Sequence, residues 1–190
     1  MHTKRCKICN HPSDTVSHIL NGCTQFKNAY QSRHNRLLSL ISDKVSYYNS
    51  ECKVLKDQPL KPENFVENQN DTFTTNHTRP DICLINYEEK NVKLIEISVP
   101  FNAHLQKCNQ SKFDKYLPLS LEINDLGFYT EIIVLIIGSL GHVHNRFKTG
   151  MTKLNVPKRE VKFMSEFCSI SAIIGSHQIW KMRCKDELMS

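Results

Sequence analysis

The stretch TRPDICLINYEEKNVKLIEISVP, Thr78 to Pro100, decides the fold because it holds two apolar runs separated by a short polar segment. The runs predict strands over residues 81–86 and 92–99, joined as a hairpin by YEEKN. Asp81 stands at the start of the first strand and Glu96 lies inside the second. Carboxylates are costly in buried strands, so their presence points to a function that needs them.

The two carboxylates can converge at one end of the predicted sheet. A hairpin centred on Glu89 places Asp81 opposite Ile97 and next to Glu96. Neighbouring residues of a strand point to opposite faces, so a bulge or a bend has to aim both acids at one point. Two carboxylates and the backbone carbonyl of Ile97 are oxygen ligands that suit Mg²⁺. Such an ion, completed by a phosphate, activates water for phosphodiester hydrolysis. The simpler alternatives are that Asp81 caps a turn and that Glu96 pairs with a lysine.

The segment KFDKY, after the second strand, adds cationic side chains to this arrangement. Lys112, Lys115 and Tyr116 have i, i+3 and i+4 spacing and share one face of a predicted helix. Amines on this face can lean toward the strand ends, where they can hold an attacking water or neutralise phosphate charge. Lysines on helices are more often simply solvated.

The first 23 residues contain the pattern Cys6-x2-Cys9-x8-His18-x4-Cys23 and few large apolar residues. Thiolates and an imidazole at this spacing are typical tetrahedral Zn²⁺ ligands. Metal bonds would replace the core that this segment lacks. His11 lies between the pairs and competes with His18, which we favour because Cys23 is close behind it. The alternative is a tail of surface thiols.

The remaining pattern predicts a mixed α/β domain with one sheet. We expect an amphipathic helix over 24–48, a polar loop over 49–78 with a short strand at CKVL, and a helix from Asn102 that Pro118 ends or kinks at 117. A buried strand over 131–138, a glycine-rich loop and a final helix over 158–183, interrupted near Gly175, complete the prediction.

Composition favours an intracellular chain with an anionic partner. The 190 residues carry a net charge of +6, which suits nucleic acid without demanding it. The polar, basic N-terminus lacks a signal peptide and no apolar run reaches the roughly 20 residues of a membrane helix. We therefore expect a cytosolic or nuclear protein whose eight cysteines are metal ligands or buried thiols rather than disulfides.

Several of these motifs, taken in order, resemble one known family. RPD, fourteen residues and then Glu96, followed by KFDKY, is similar to the restriction-like endonuclease segment of site-specific non-LTR (LINE-type) retrotransposons, which in turn resembles the PD-(D/E)xK nucleases. In that family a Cys-Cys-His-Cys zinc knuckle precedes the nuclease at similar spacing. A basic residue, His, and Asn or Asp follow it, and Arg33, His34 and Asn35 resemble this motif. The resemblance covers about residues 6–137.

The resemblance implies a restriction-endonuclease-like α/β core over 24–190, with one mixed sheet flanked by helices, after a zinc knuckle over 1–23. It implies that Asp81 and Glu96 bind Mg²⁺ or Mn²⁺. Many PD-(D/E)xK enzymes carry a lysine where this chain has Ser98, whereas the resembling segments take it from the next helix, here Lys112 or Lys115. We expect contacts with nucleic acid from a further set of residues: Arg79, Arg33, His34 and Tyr116.

The function implied by the resemblance is a metal-dependent DNA endonuclease that nicks target DNA and leaves a 3′ end for a reverse transcriptase. The expected partners are target DNA, a possible RNA and the reverse transcriptase domain of a parent polyprotein. The expected location is the nucleus, or the cytoplasm before import. The alternatives are a catalytically weak module of the same fold that binds nucleic acid, and a remnant that keeps only protein interactions.

Overall fold

The computed structural model describes residues 5–67 and 71–188, which form one four-stranded mixed sheet with helices on both faces. The prediction of an α/β domain with one sheet is confirmed. The helices and strands, in chain order, are α1 (Val16–Asn21), α2 (Lys27–Tyr48), β1 (Lys53–Lys56), β2 (Ile82–Asn86), β3 (Asn91–Ser98), α3 (Leu105–Asp125), β4 (Tyr129–Ile136), α4 (Asn145–Lys153) and α5 (Lys158–Leu188).

The strands follow chain order across the sheet, β1-β2-β3-β4. The first three are antiparallel, and β4 returns parallel to β3 after α3 has crossed one face. This crossover brings the beginning of α3 close to the end of β3, which is the end of the sheet where Glu96 lies.

The hairpin register differs from the prediction by one residue. Ile82 pairs with Ile95 and Asn86 with Asn91, so the centre falls between Glu88 and Glu89 rather than on Glu89. The turn chemistry explains the difference. The Asn86 side-chain oxygen accepts hydrogen bonds from the backbone N–H groups of Glu88 and Glu89, and Lys90 adopts a left-handed conformation with φ 51°. A turn of four residues, 87–90, results.

The corrected register makes a bulge unnecessary. Continued by one residue beyond Ile82, it sets Asp81 opposite Glu96. Residues directly opposite one another in an antiparallel pair project toward the same side of the sheet. Asp81 lies in a bend just before β2, and its carboxylate and that of Glu96 line the same cleft.

Two apolar clusters sandwich the sheet. On one face, Ile82, Leu84, Ile95 and Ile97 pack against α2, α4 and α5. On the other face, the alternate residues of the same strands, Cys83, Ile85, Val92 and Leu94, pack against α3. The residues that α3 contributes to this cluster are Tyr116, Leu119 and Ile123. Burying each aliphatic side chain contributes about 1.5–3 kcal/mol. Glu96 is two residues after Leu94 and therefore lies on the α3 face of the sheet. Its neighbours there are apolar, so the charge of its carboxylate is costly to bury.

The helix after β3 does not end at Pro118, contrary to the prediction. It continues to Asp125 because Leu119 and Ile123 extend its buried face. The proline removes one hydrogen bond, to the carbonyl of Asp114 four residues earlier. Both Pro118 and Asp114 are exposed, so water can satisfy that carbonyl.

The predicted loop after β4 contains a helix, α4. His144 caps it, since its side chain accepts a hydrogen bond from the backbone N–H of Arg146. Phe147 and Met151 are four residues apart and fully buried. The glycines led us to predict a loop, but the four-residue spacing of Phe147 and Met151 is that of one buried helical face.

The long helix α5 is also continuous through Gly175, where we predicted an interruption. A Cβ atom at this position would lie 2.6 Å from Cγ of Arg33 and 2.9 Å from its Cβ. The glycine therefore permits the close approach of α2 to α5 rather than breaking the helix.

Candidate functional site

A cleft of about 550 Å³ opens where α2 crosses the ends of β2 and β3. Its lining includes both carboxylates of the opening stretch and one of the two lysines of KFDKY. The lining residues are Asn21, Lys27, Tyr30, Gln31, Arg33, His34, Asp81, Glu96, Ile97, Ser98, Val99 and Lys112.

Asp81 is held at the mouth of the hairpin by the neighbouring strand. Its Oδ2 accepts a hydrogen bond of 2.6 Å from the backbone N–H of Ile97 and lies 3.2 Å from Nε2 of His34. Its backbone carbonyl accepts from the N–H of Asp57, at 3.0 Å. These contacts fix a half-buried carboxylate whose other oxygen remains for a ligand.

His34 reaches this site from the middle of α2. Its Nε2 lies 3.2 Å from Asp81 Oδ2 and 3.3 Å from the carbonyl oxygen of Ile97, so it bridges two of the three oxygens that the sequence suggests for Mg²⁺. The hydrogen bond to Asp81 raises the pKa of His34, although burial acts in the opposite direction. The sequence identified His34 but gave no sign that it contacts Asp81.

Glu96 is 4% exposed and is paired with the lysines of α3. Its Oε1 accepts a hydrogen bond of 2.5 Å from Nζ of Lys112 and lies 3.6 Å from Nζ of Lys115. Burial lowers the pKa of Lys112, but the attraction of Glu96 outweighs it and the net pKa is raised. The expectation that lysines of this helix lean toward the strand end agrees with the structure, and Lys112 is the closer of the two.

Ser98 lies two residues after Glu96, at the end of β3. Its hydroxyl lies 2.9 Å from Sγ of Cys108, in the second turn of α3. The ammonium group nearest to Glu96 therefore comes from the helix, at Lys112, and not from the strand. The Ser98–Cys108 contact had no signal in the sequence.

Tyr116 is a core residue, and the predicted contact with nucleic acid does not fit its position. Its side chain is 0% exposed. The hydroxyl donates to the carbonyl of Arg79 at 2.8 Å and accepts from Lys115 at 2.7 Å. Burial, with Glu96 nearby, raises the pKa of Tyr116 above its usual range. The side chain ties α3 to the segment before β2.

Arg33 is also buried, at 3% exposure, which argues against the predicted phosphate contact. Nη1 donates to the Ser176 hydroxyl at 2.8 Å and Nη2 to the Val99 carbonyl at 3.5 Å. Burial lowers the pKa of Arg33 to about 10, and its Nε has no partner within residues 5–67 and 71–188. Arg33 therefore connects α2 to α5 and to the end of β3.

Arg79 remains a candidate for phosphate contact. Its side chain is 58% exposed and its Nε pairs with Asp57 at 2.9 Å. An exposed ion pair of this kind contributes little to stability, so it can open to accept a phosphate at small cost.

The second candidate site is the N-terminal cysteine cluster. One ligand atom from each of Cys6, Cys9, His18 and Cys23 can be chosen so that all lie within 4.8 Å of one another. Sγ of Cys9 is 3.2 Å from Nε2 of His18. The prediction that these four side chains come together is confirmed.

Local hydrogen bonds shape the cluster before any ion is considered. Thr15 caps α1 by accepting from the His18 N–H. The hydroxyl of Tyr30, on α2, accepts from the Cys23 N–H at 3.0 Å and donates to the Ile19 carbonyl at 2.6 Å. The backbone that carries two of the four ligands is thus fixed by contacts that the sequence pattern did not reveal.

His11 is not part of this group. Its ring stacks on His18 with centroids 4.2 Å apart, and its Nδ1 accepts from the Ser13 N–H. The structure therefore resolves the choice between the two histidines in favour of His18. A stacked His11 restricts the ring of His18 without ligating.

The donor chemistry of the cluster fits zinc. Burial lowers the pKa of His18, which keeps the imidazole neutral, as a ligand must be. Burial acts to raise the pKa of Cys9, but hydrogen bonds from His11, Cys23 and Cys6 outweigh it and the net pKa is lowered. Burial raises the pKa of Cys23 to about 11, and a bound Zn²⁺ would deprotonate this thiol.

The cluster is attached to the rest of the domain close to the cleft. The Asn21 side chain donates to the Val99 carbonyl at 2.7 Å, and Asp14 pairs with Arg183 at 2.7 Å. Ile19, Leu20 and Phe26 pack with Ile179 of α5 in a third apolar cluster. Asn21 also lines the cleft, so this module forms one of its walls.

Two sequence comparisons, with family models and with curated proteins, give no match. None of the described helices combines the length and apolar character needed to cross a bilayer. Functional interpretation therefore depends on the geometry of the two sites.

Proposed function

We propose that this protein is a Mg²⁺-dependent DNA endonuclease module of the PD-(D/E)xK type with an N-terminal zinc knuckle. One observation carries the proposal. Asp81 and Glu96 line one cleft at the ends of β2 and β3, and an ammonium group from α3 contacts Glu96. This combination of two acids and an amine is the one that metal-dependent phosphodiester hydrolysis uses.

Asp81, Glu96 and the carbonyl of Ile97 are the residues that would hold Mg²⁺, which supplies an activated water and a counter-charge for the scissile phosphate. They bring two carboxylates and one carbonyl, so water and substrate oxygens have to complete the six ligands that Mg²⁺ prefers. Lys112 would orient the attacking water or neutralise phosphate charge. His34, which contacts Asp81, is placed to position that carboxylate.

The cationic residues around the cleft support an anionic substrate. Lys27, His34 and Lys112 line it with the two acids, whereas the guanidinium of Arg33 is buried and bonded to Ser176. Arg79 lies beside Asp81 in the chain with its side chain exposed. A cleft of this charge attracts the phosphate backbone of a nucleic acid.

The family assignment stays part of the proposal. The module resembles the nuclease segment of non-LTR retrotransposons through the order of its knuckle, its Arg-His-Asn motif, its acids and its helix lysines. By that resemblance it would nick target DNA in the nucleus and act beside a reverse transcriptase domain. The two candidate metal sites lie on one body, joined by Asn21 and Val99, as a knuckle that guides DNA to a nuclease requires.

A supercoiled-plasmid assay tests the proposal. We expect purified protein to convert supercoiled plasmid to the nicked form with Mg²⁺ or Mn²⁺, and not with Ca²⁺, which takes longer bonds and more ligands. Agarose gels measure the rate. Absence of nicking with every divalent ion, under conditions in which the protein binds DNA and contains zinc, would refute the enzymatic function.

The two lysines of α3 should differ in effect. Lys112→Met is expected to lower the nicking rate by roughly 100-fold, because its Nζ contacts Glu96 directly, at 2.5 Å. Lys115→Met should lower it less than 10-fold, since Lys115 is 3.6 Å from Glu96 and is also engaged by Tyr116.

Thermal melting and zinc content of both lysine variants provide the control, because each substitution removes a positive charge that lies close to the buried carboxylate of Glu96. Equal loss of nicking in the two variants, in proportion to lost stability, would show that the lysines only neutralise Glu96. An inactive Lys115→Met with an active Lys112→Met would reverse the assignment.

A second candidate function is binding of nucleic acid without cleavage. The observation in its favour is that each acid already has a cationic or donor partner: Lys112 and Lys115 at Glu96, and His34 at Asp81. In this case DNA binding would persist in Mg²⁺-free buffer and in Asp81→Asn, with no nicking by either protein.

A further inference from the structure

The outward face of α5 carries an apolar stripe that the fold leaves uncovered. Phe163, Phe167, Ile170 and Ile174 are between 45% and 59% exposed. At 100° per residue these four positions fall within about 60° of arc. Four large apolar side chains on one solvent-facing arc are not a scatter of single surface residues, and such patches mark interaction sites.

The opposite face of the same helix packs into the domain core. Val161, Met164, Cys168 and Ala172 are buried against the sheet and α2. A helix that is apolar on two opposite faces is typical of one packed between two bodies. The stripe is therefore not required by the fold of a single chain.

The spacing of the stripe suits packing against a second copy of α5. The steps between its members are four, three and four residues, which is the heptad spacing of helices that pack side by side. The sequence of steps reads the same in both directions. Two copies of α5 placed antiparallel about a two-fold axis near 168–169 would therefore set Phe163 against Ile174 and Phe167 against Ile170. Such self-complementarity is what an isologous dimer interface needs.

Charge argues for the same occupant. The fourteen residues from Phe167 to Trp180 include no Lys, Arg, Asp or Glu. A nucleic acid or an anionic membrane surface would be recognised through cations. An apolar, uncharged helix face suits another face of its own kind and imposes little charge repulsion between two basic chains.

The exposed apolar area is more than half of what a stable dimer requires on each partner. Half of an aromatic side chain offers about 100 Å², so the four stripe residues with Leu140 and Ile173 expose roughly 500 Å². An apolar pocket of about 430 Å³ adjoins the stripe between α1 and α5, lined by Val16, Leu20, Leu140, Ile173 and Trp180 among others. Its lining includes Ile173, the residue before Ile174, against which Phe163 of a second copy would pack. With polar rim contacts this approaches the roughly 800 Å² per partner of a standard interface.

We propose that the protein forms a two-fold homodimer through antiparallel packing of the α5 stripe, defined by Phe163, Phe167, Ile170 and Ile174. The consequence for a nuclease would be two clefts on one particle. The proposal stands on the stripe alone and does not depend on catalysis.

Sedimentation equilibrium of the full chain tests it. We expect twice the chain mass at about 100 µM, above the micromolar dissociation constants of the weaker interfaces of this size. Phe167→Lys and Ile170→Lys should each raise the dissociation constant at least 100-fold and give monomers, since both positions are exposed and adjoin the axis. Leu121→Lys, at a 55% exposed position on α3, is the matched control and should remain dimeric. A monomeric wild-type chain, or a dimer that survives Phe167→Lys, would overturn the proposal.

Disulfide trapping tests the orientation in a Cys184→Ser background. We expect mixed Phe167→Cys and Ile170→Cys chains, oxidised mildly with oxidised glutathione, to form a cross-link between the two variants, identified by peptide mapping. Parallel helices would instead link Phe167→Cys chains to one another. Cross-links between identical variants only would overturn the antiparallel arrangement.

Discussion

Replacing Asp81 by asparagine is expected to reduce plasmid nicking by about 1000-fold or more while leaving the fold in place. The substitution removes one of the two negative charges that would hold Mg²⁺ and leaves the other, on Glu96, partly neutralised by Lys112. The amide oxygen of asparagine can still accept the hydrogen bond from Ile97 N–H, which holds the position at 2.6 Å in the wild type. The measurement is the nicking rate in saturating Mg²⁺.

Asp57→Asn is the matched control for this prediction. Asp57 is an exposed acid at the same end of the sheet, paired with Arg79 outside the cleft. Its loss should change nicking less than about 5-fold, because removing a surface ion pair changes the free energy by at most about 1 kcal/mol. Asp81→Asn with wild-type nicking, or Asp57→Asn with the same defect as Asp81→Asn, would remove Asp81 from the reaction.

The same variant has a pH signature that does not depend on activity. In the metal-free wild type, the hydrogen bond that His34 donates to Asp81 raises the pKa of His34 in the folded state. A raised pKa means that protonated His34 stabilises the fold, fully below the unfolded value of about 6.5, and that this contribution is lost as pH rises through the folded pKa. Asp81→Asn should therefore lose more stability, relative to the wild type, at about pH 5.5 than at about pH 8. Equal losses at both pH values would show that the contact with His34 is energetically silent.

Strong local patterns predicted the elements that build the site, and contacts between distant segments decided the rest. The apolar runs of β2 and β3 and the periodicity of α2 are visible in the sequence because each depends on neighbouring residues. Pro118 and Gly175 are misleading for the opposite reason. The proline loses a hydrogen bond on a solvated face of α3, and Gly175 is small because Arg33 packs against it from α2.

The relative position of the two acids depended on a single turn. We centred the hairpin on Glu89, which would have required a bulge, whereas Asn86 and Lys90 set a turn of four residues. Asn at the start of NYEEKN is the signal that was available, since its side chain commonly bonds to backbone N–H groups two residues on. A shift of one residue in a hairpin register exchanges the two faces of a strand, so this turn decides how Asp81 and Glu96 approach one another.

Residue type proved a poor guide to exposure in the predicted DNA contacts. Arg33 and Tyr116 have side chains suited to phosphate and base contacts, and both are buried. Each donates a hydrogen bond to a backbone carbonyl close to the end of a strand. Arg33 donates to Val99, and Tyr116 donates to Arg79. Their burial depends on the packing of α2 on α5 and of α3 on the sheet, which a single sequence does not display.

The cysteine cluster shows how a single side-chain contact separates two candidates of equal chemistry. His11 and His18 both lie between Cys9 and Cys23 in the sequence, and both offer an imidazole. Thr15 starts α1 three residues before His18, which turns the His18 ring toward Cys9. His11 precedes the helix and its ring bonds to Ser13 instead. The start of α1 therefore selects the ligand.

Replacing Cys23 by serine is expected to remove the zinc and to destabilise the domain by several kcal/mol. Cys23 is 0% exposed and would be one of four ligands. Structural zinc contributes on the order of 10 kcal/mol to small modules. Here the protein packing of Ile19, Leu20 and Phe26 on Ile179 survives in part, so a smaller loss is expected. A loss of about 4 kcal/mol corresponds to a fall of roughly 8–16 °C in Tm for a chain of this length. Elemental analysis should give about one zinc per wild-type chain.

Two control variants test whether the loss of zinc is specific to the four proposed ligands. His11→Asn should keep the zinc, because His11 only stacks on His18, and Cys184→Ser should keep it because Cys184 is an exposed cysteine outside the cluster. His18→Asn should lose it. Because Asn21 joins this module to Val99 at the cleft, the variants that lose zinc should also bind DNA more weakly, while His11→Asn binds as the wild type does. Full zinc content in Cys23→Ser, or its loss in His11→Asn, would mean that the ion is held by a different set of ligands and that α1 does not select His18.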